Sequence, residues 1–390
     1  MTSFHRSRQR VTLALTAVSS LVIAACDKIT PNSTLTPHSE FGRAIDGLWR
    51  ETLVLGTIVF VLVELALIFV IFRFRRRDDS AQPKHVHGNT TLEITWTLIP
   101  AVILAFIAVP TVRVIFETQA KAKSSALQVE VIGHQWWWEF RYPQYGVVTA
   151  NELYLPVGRT ASFALRTQDV LHSFWIPELA GKRDLITNRT NYLWFTPESS
   201  YVWNGFCAEY CGDSHGYMHF RVFTVAPAQF DAWIVSQKSP PAFGGGGAGP
   251  AGGAETAPAR PTLPLHAVPS TPTPAGLAVA TASGDAARGA DLYKRSMCIA
   301  CHAVQGVSAG NIGPNLTHVG SRTTIAGSIY PNDAHHLMLW IKNAPLMKPG
   351  SIMPALGAGQ FDRKTGMTVA AGGLTDQQIA DLAAYLLALK

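Results

Sequence analysis

The chain has 390 residues and a mass of 42.2 kDa, which exceeds one ordinary domain and implies two or more. Only 15% of residues are charged, against about 25% in typical soluble proteins, while 47% are hydrophobic and mean hydropathy is +0.14, which excludes overall disorder and indicates membrane segments. The formal charge is +6, yet Lys and Arg form no basic stripe outside the run at 73–77, so nucleic acid is not expected as a partner.

Residues 1–26 open with Arg6, Arg8 and Arg10, continue as an apolar run from Val11 to Ala25, and end in Ile-Ala-Ala-Cys. A charged start, a short apolar run and small residues at a cut site make an export signal. The Cys directly after the small residues resembles a bacterial lipoprotein signal. That resemblance implies that Cys26 becomes a lipidated N-terminus and that Asp27 keeps the protein in the inner membrane.

Two membrane spans are expected within 40–121. Leu53 to Phe72 is twenty residues with a single ionisable group, Glu64, and Ile94 to Val112 is nineteen residues with none. The basic run Arg73-Phe-Arg-Arg-Arg77 between them marks that loop as cytoplasmic, which places both outer ends of the hairpin on the exported side. Glu64 is costly in lipid and is expected to face a partner subunit.

From 122 to 238 the texture changes to short runs rich in β-branched and aromatic residues. They lie at Leu127–Ile132, Ala161–Leu165, Tyr192–Phe195 and His219–Val225, and turn residues separate them. This pattern predicts an all-β Greek-key sandwich. Its chemistry is concentrated in Cys207-Ala-Glu-Tyr-Cys211-Gly-Asp-Ser-His215-Gly-Tyr-Met218, with His172 thirty-five positions before Cys207. Two thiolates, two imidazoles and a thioether are soft ligands suited to copper in electron transfer. Cysteines four apart in a loop can place both sulfurs between two metal ions, each completed by one His and a weaker ligand. A Cys207–Cys211 disulfide is the competing reading, but it leaves His172, His215 and Met218 unexplained.

At these residues the sequence closely resembles cytochrome c oxidase subunit II over roughly 40–238, which implies a transmembrane hairpin and a cupredoxin domain with dinuclear copper A. The resemblance implies that Cys207 and Cys211 bridge the coppers, His172 and His215 are terminal ligands, Met218 is axial, and Glu209 gives its backbone carbonyl. The Glu209 side chain is then expected to face a magnesium site shared with subunit I, with Asp184 behind it. Gly133-His-Gln-Trp-Trp-Trp138 matches the family's aromatic patch, with Trp136 at the electron-entry position; Trp137 stands where the family usually has Tyr. Glu93, in Leu92-Glu-Ile-Thr-Trp96, matches the glutamate at the cytoplasmic mouth of a proton pathway. On the residues alone it is an acid favourably placed at a helix start.

Residues 239–283 are dominated by Pro, Gly, Ala, Ser and Thr and predict a flexible tether, whose 45 residues span on the order of 35–40 Å as a random coil. Beyond it, Cys298-Ile-Ala-Cys301-His302 is a c-type haem attachment site, with two thioether bonds and a proximal imidazole. Helices are expected at Ala287–Ser296 and after Thr375, where Gln378 completes a capping box. The segment 284–390 resembles an all-α class I cytochrome c domain. That resemblance makes Met353, in Ser-Ile-Met-Pro, the sixth iron ligand and Arg322 and Trp340 neighbours of the haem propionates. Met347 is the second candidate ligand, while Met338 and Met297 are read as core.

Together these readings predict subunit II of a bacterial haem–copper oxidase with a fused cytochrome c. Its partners are subunits I and III, with a cytochrome c or a quinol–cytochrome c reductase as donor, and both redox domains lie outside the inner membrane. Electrons are expected to enter at haem c, pass to copper A and reach subunit I, where oxygen is reduced with proton pumping. The same chemistry fits a copper A subunit of a nitric oxide reductase. A stand-alone membrane-anchored carrier is a third possibility, against which the matches at Glu93 and Glu209 argue.

Overall fold

The structure is a computed structural model and describes residues 31–75, 87–120, 122, 124–241, 271–280 and 283–390. Cys26, Arg76, Arg77 and most of the expected tether lie outside the described residues. Pro31 and Asn32 form a turn, and Thr34–Lys390 is one compact unit.

Two long helices come first, α1 (Glu40–Arg73) and α2 (Thr90–Gln119). Ser39 and Asn89 cap them, each side chain accepting a backbone N–H from the first turn, as short polar residues do at this position. Both are long and apolar enough to cross a membrane, and their apolar side chains lie exposed along almost the whole length. The helices outrun the expected spans because hydropathy marks only the lipid-facing part. The first turns of α1 instead join the β domain. Phe41 is buried in its core and meets Trp194 edge-on at 6.2 Å, and the Glu40 carboxylate accepts the Thr196 N–H at 2.9 Å.

Ten strands follow: β1 (Leu127–His134), β2 (Trp137–Tyr142), β3 (Val147–Ala150), β4 (Glu152–Pro156), β5 (Ala161–Thr167), β6 (His172–Trp175), β7 (Arg183–Leu185), β8 (Asn191–Phe195), β9 (Tyr201–Cys207) and β10 (His219–Val225). They form two five-stranded sheets, ordered β3-β2-β1-β5-β8 and β4-β10-β9-β6-β7. The β1–β5 and β4–β10 pairs are parallel and the other neighbours antiparallel. Trp138, Phe140, Phe174 and Phe220 fill the space between the sheets, each fully buried. Each such side chain contributes about 1.5–3 kcal/mol of burial. Helix α3 (Pro227–Lys238) closes the domain, with Trp233 stacked on Tyr154 at 4.4 Å.

The C-terminal domain is helical: α4 (Ala286–Arg295), a short α5 (Cys298–Cys301), α6 (Ala334–Lys342), α7 (Ala344–Met347) and α8 (Asp376–Ala388). Helix α8 starts at the expected Thr375–Gln378 capping box, and Leu382 and Tyr385 are buried on one face. Part of the expected tether belongs to this domain. Leu277 is buried in its core, Ala280 N–H donates to Asp376, and the Ala278 carbonyl accepts from Lys342 at 2.7 Å. Composition alone hid this, since a single Leu among Pro and Ala does not announce a core contact.

Candidate metal and haem centres

Strand pairing brings the copper-type residues together. Phe174 of β6 lies opposite Cys207 at the end of β9, which sets His172, at the start of β6, beside the loop that leaves β9. That loop returns through a single 3-10 turn at His215–Tyr217 and is closed by Cys207 N–H donating to Met218 O at 3.0 Å. Gly212 within it has φ +110°, a conformation open mainly to glycine, and a Cβ there would sit 3.0 Å from the Trp136 ring.

The donor atoms converge. Cys207 Sγ and Cys211 Sγ are 3.8 Å apart; His172 Nδ1 is 3.8 Å from the first sulfur and His215 Nδ1 is 3.6 Å from the second. Met218 Sδ lies 3.8 Å from Cys211 Sγ, and the Glu209 carbonyl is 3.3 Å from Cys207 Sγ. Both cysteines are buried and free, so the disulfide reading fails. Without a metal the two thiols compete for charge. The hydrogen bond from Cys211 holds the Cys207 thiol well below its ordinary pKa, and the same contact, with burial, pushes Cys211 up. Cations between the sulfurs would let both ionise, so this donor set fits soft metal ions.

One partner was not foreseen. His172 Nε2–H donates to Asp169 Oδ1 at 2.8 Å, which fixes the tautomer that leaves Nδ1 toward the sulfur. Burial alone raises the Asp169 pKa, but hydrogen bonds from His172, Gln135 N–H and Val170 N–H hold it below its ordinary value. Burial lowers the His172 pKa, and its bonds to Asp169 and Cys207 raise it further than that. The signal was an Asp three positions before the His, too common a spacing to single out.

Trp136 is buried beside this loop. Its indole N–H and the Gln135 side-chain amide both donate to Cys211 O, at 2.9 and 2.8 Å. Trp137 stacks on His134 at 4.0 Å, and His134 contacts Glu139 at 3.1 Å. Glu209 and Asp184, both partly exposed, flank Ser173: Asp184 pairs with it in register, and Ala208 N–H donates to its carbonyl. Glu93 is exposed in the first turn of α2, where its carboxylate accepts Asn89 N–H at 3.2 Å. Glu64 is exposed on α1.

In the helical domain Cys298, Cys301, His302, Met353, Trp340 and Arg322 line a single cavity. His302 Nδ1–H donates to Pro314 O at 2.8 Å, which leaves Nε2 free to bind a metal, and burial lowers the ring's pKa, favouring the neutral ligand form. Gly313 is required here, since a Cβ would lie 2.5 Å from the imidazole. The apolar walls and convergent Cys, Cys, His and Met fit a covalently held haem. Met347 lies outside this cavity, buried in the core, its carbonyl accepting from Tyr330. Met338 is core as expected, but Met297 is not: it is 59% exposed and borders the cavity. It caps α5 directly before Cys298, which places it at the cavity and not in the core. Trp136 and Trp137 of the β domain line the same cavity from the opposite side.

Both ligand sets serve one-electron chemistry, and with two membrane-spanning-type helices they define a membrane-anchored electron-transfer protein. Residues 37–114 match the transmembrane domain of cytochrome c oxidase subunit II, 146–225 its periplasmic domain, and 286–390 cytochrome c. The chain is similar to cytochrome c oxidase subunit 2 of Alkalihalophilus pseudofirmus, at 34% identity over 78% of this chain and 81% of that protein. It is also similar to the proteins of the same name from Bacillus subtilis, at 31% identity over 87% and 90%, and from Bacillus sp. strain PS3, at 32% over 82% and 80%. The chain belongs to the cytochrome c oxidase subunit 2 family. It is thus a subunit of a terminal oxidase complex with an electron-transfer role, its β domain of the copper A type and its C-terminal domain of the haem c type.

Proposed function

We propose that this chain carries electrons from a cytochrome c or a quinol–cytochrome c reductase through covalently bound haem c to dinuclear copper A and on to subunit I, where oxygen is reduced to water with proton pumping. The observation that best supports it is the juxtaposition of two sulfurs 3.8 Å apart, each with an imidazole, and Trp136, which touches that loop and lines the haem-type cavity. When bound, the metals supply one-electron carriers whose potentials the protein ligands set.

The residues divide the work. Cys207 and Cys211 would hold two coppers together with His172, His215, Met218 and the Glu209 carbonyl, while Asp169 keeps the His172 ring in the tautomer that leaves Nδ1 toward the sulfur. Trp136 is the entry residue, since its indole is hydrogen-bonded to the Cys211 main chain. Cys298 and Cys301 would hold haem covalently, His302 and Met353 would ligate its iron, and Arg322 and Trp340 would neighbour its propionates. Glu209 and Asp184 hold an interfacial magnesium ion against subunit I, Glu93 stands at the proton entrance, and Cys26 is the lipid anchor. The complex, with subunits I and III, sits in the bacterial inner membrane, with the redox domains on the outer face.

Metal and haem analysis of the purified complex, combined with turnover on oxygen and on nitric oxide, tests this reading. Two coppers beyond those of subunit I, one haem c per chain and oxygen consumption are expected. Nitric oxide reduction without oxygen turnover would move the chain to a reductase.

A further inference from the structure

The β domain and the helical domain meet through two buried ionisable side chains, Lys348 and Glu152. Lys348, directly after α7, is 3% exposed, and its ammonium donates to Trp136 O at 2.6 Å and Ala326 O at 3.0 Å. Glu152, at the start of β4, is 2% exposed and accepts Thr323 N–H at 2.6 Å, Thr324 N–H at 3.3 Å and the Thr323 hydroxyl. Between them His219 N–H donates to Gly327 O at 3.1 Å and the Ser328 hydroxyl to Asn151 O at 3.3 Å, while the Ser214 hydroxyl donates to Pro349 O. Lys and Glu are almost never fully buried without partners, and here each finds partners across the interface. Burial pulls the Lys348 pKa down to about 7, the signature of a charge withdrawn from water. The contact is also sterically close: a Cβ on Gly350 would lie 2.6 Å from Trp136 Cη2 and 3.0 Å from Asp213 Cβ.

We propose that the helical domain is a seated cap: Lys348 and Glu152 lock it onto the Trp136 face of the β domain, where it occupies the surface a separate donor protein would need. This rests on the reading of the chain as an electron-entry subunit. Lys348 and Glu152 are positioning residues, acting through the main chain of Trp136 and of Thr323–Thr324. The occupant of the Trp136 face is this chain's own segments 326–327 and 348–350. Trp136 is then held from two domains, its carbonyl by Lys348 of the cap and its indole by Cys211 O of the β domain, while the cap covers the ring at Gly350.

The test uses the purified oxidase complex carrying Lys348→Met, Glu152→Gln or Gly350→Asn. Asn tolerates the positive φ of +75° at position 350, so that variant acts mainly as a wedge against Trp136. The readout is backbone amide hydrogen exchange over residues 134–138 and 326–328, with haem and copper content measured alongside. Exchange roughly ten-fold or more faster than wild type in Lys348→Met and in Gly350→Asn is expected, the size that follows from losing a buried hydrogen bond to a charged group. Haem-to-copper electron transfer is expected to slow in the same variants, with both cofactors retained. Unchanged exchange over 134–138 in all three variants overturns the cap. If Gly350→Asn loses haem, the two charge variants decide the matter alone. Failure of the electron-entry reading looks different: wild-type complex lacking copper A or haem c signals, whatever the exchange pattern.

Discussion

The indole N–H of Trp136 donates to the main-chain carbonyl of Cys211 at 2.9 Å. A ring that borders the haem-type cavity is therefore tied directly to the backbone of one of the two cysteines of the candidate copper site. The tie is shared, because Gln135 donates to the same oxygen at 2.8 Å. The carbonyl keeps a partner if one donor is lost.

Trp136→Phe keeps an aromatic ring and removes only the indole N–H and part of the bulk. Because Gln135 still satisfies Cys211 O, the stability cost should be small for a buried site, about 0.5–1.5 kcal/mol. Copper content should be unchanged, while flash-initiated transfer from haem to copper slows. An unchanged transfer rate in a variant with intact copper would remove Trp136 from the entry route.

Cys207→Ser and Cys211→Ser each take one sulfur from the pair. If both thiolates bridge two coppers, either change should abolish the mixed-valence signal. In wild type, electron paramagnetic resonance should show one electron shared over two copper nuclei. A one-nucleus pattern in wild type would contradict a dinuclear site.

Met353→Ala and Met347→Ala should part company. Met353 lines the cavity with His302, so its loss should leave haem attached through Cys298 and Cys301 and lower the reduction potential, because the thioether favours ferrous iron. Met347 is buried in the core, and its loss should cost about 2–5 kcal/mol of stability with little change in potential. Potentiometry and thermal melts on both variants separate the two roles, and a reversed pattern would exchange the assignments.

The parts of this chain that were legible in the sequence are those set by local pattern or fixed spacing. The runs at 127–132 and 219–225 became β1 and β10 because alternating β-branched and aromatic residues fit a pleated, buried surface. Cys207 to Met218 lies on one short loop, so spacing alone brought its sulfur and imidazole side chains near each other. Asp169, Leu277, Lys348 and Glu152 were not singled out, because each acquires its role from a partner far along the chain. Lys348 meets Trp136 across 212 positions, and nothing in either neighbourhood announces the pair. The extension of α1 back to Glu40 escaped for the related reason that Phe41 is held by the β domain rather than by lipid.

Acid should loosen the helical domain at a specific contact. The buried carboxylate of Asp381 on α8 accepts from Arg288 Nε and Nη2 on α4, both at 2.9 Å, and from Asp285 N–H at 2.7 Å. Its pKa falls from 3.8 to about 2, chiefly through the Arg288 hydrogen bond. A lowered folded-state pKa stabilises above the unfolded value, so the contribution is complete above pH 3.8 and is lost as pH falls toward 2. Asp381→Asn should lower stability at pH 7 by about 1–3 kcal/mol. The gap to wild type should close in chemical denaturation below pH 3, and a pH-independent gap would assign the cost to packing instead.

Transfer between the two redox domains should be independent of protein concentration. The chain connects them, so their encounter is intramolecular, and a short tether alone gives an effective concentration on the order of millimolar. Net charges are small: residues 284–390 carry nine Lys and Arg against six Asp, while 127–238 carry eight basic and ten acidic residues. Long-range steering therefore contributes little, and the contacts that matter, at Lys348 and Glu152, are buried where salt screens weakly. Stopped-flow oxidation of the haem should give one rate across a wide range of complex concentration, with only a modest decrease at high salt. Truncation belongs before residue 271 rather than near 283, because Leu277 is part of the helical domain's core. The truncated complex should keep its copper signal and lose turnover with the native donor. A rate that scales with complex concentration, or a truncated complex with undiminished turnover on that donor, would show that the fused domain is not the donor to copper.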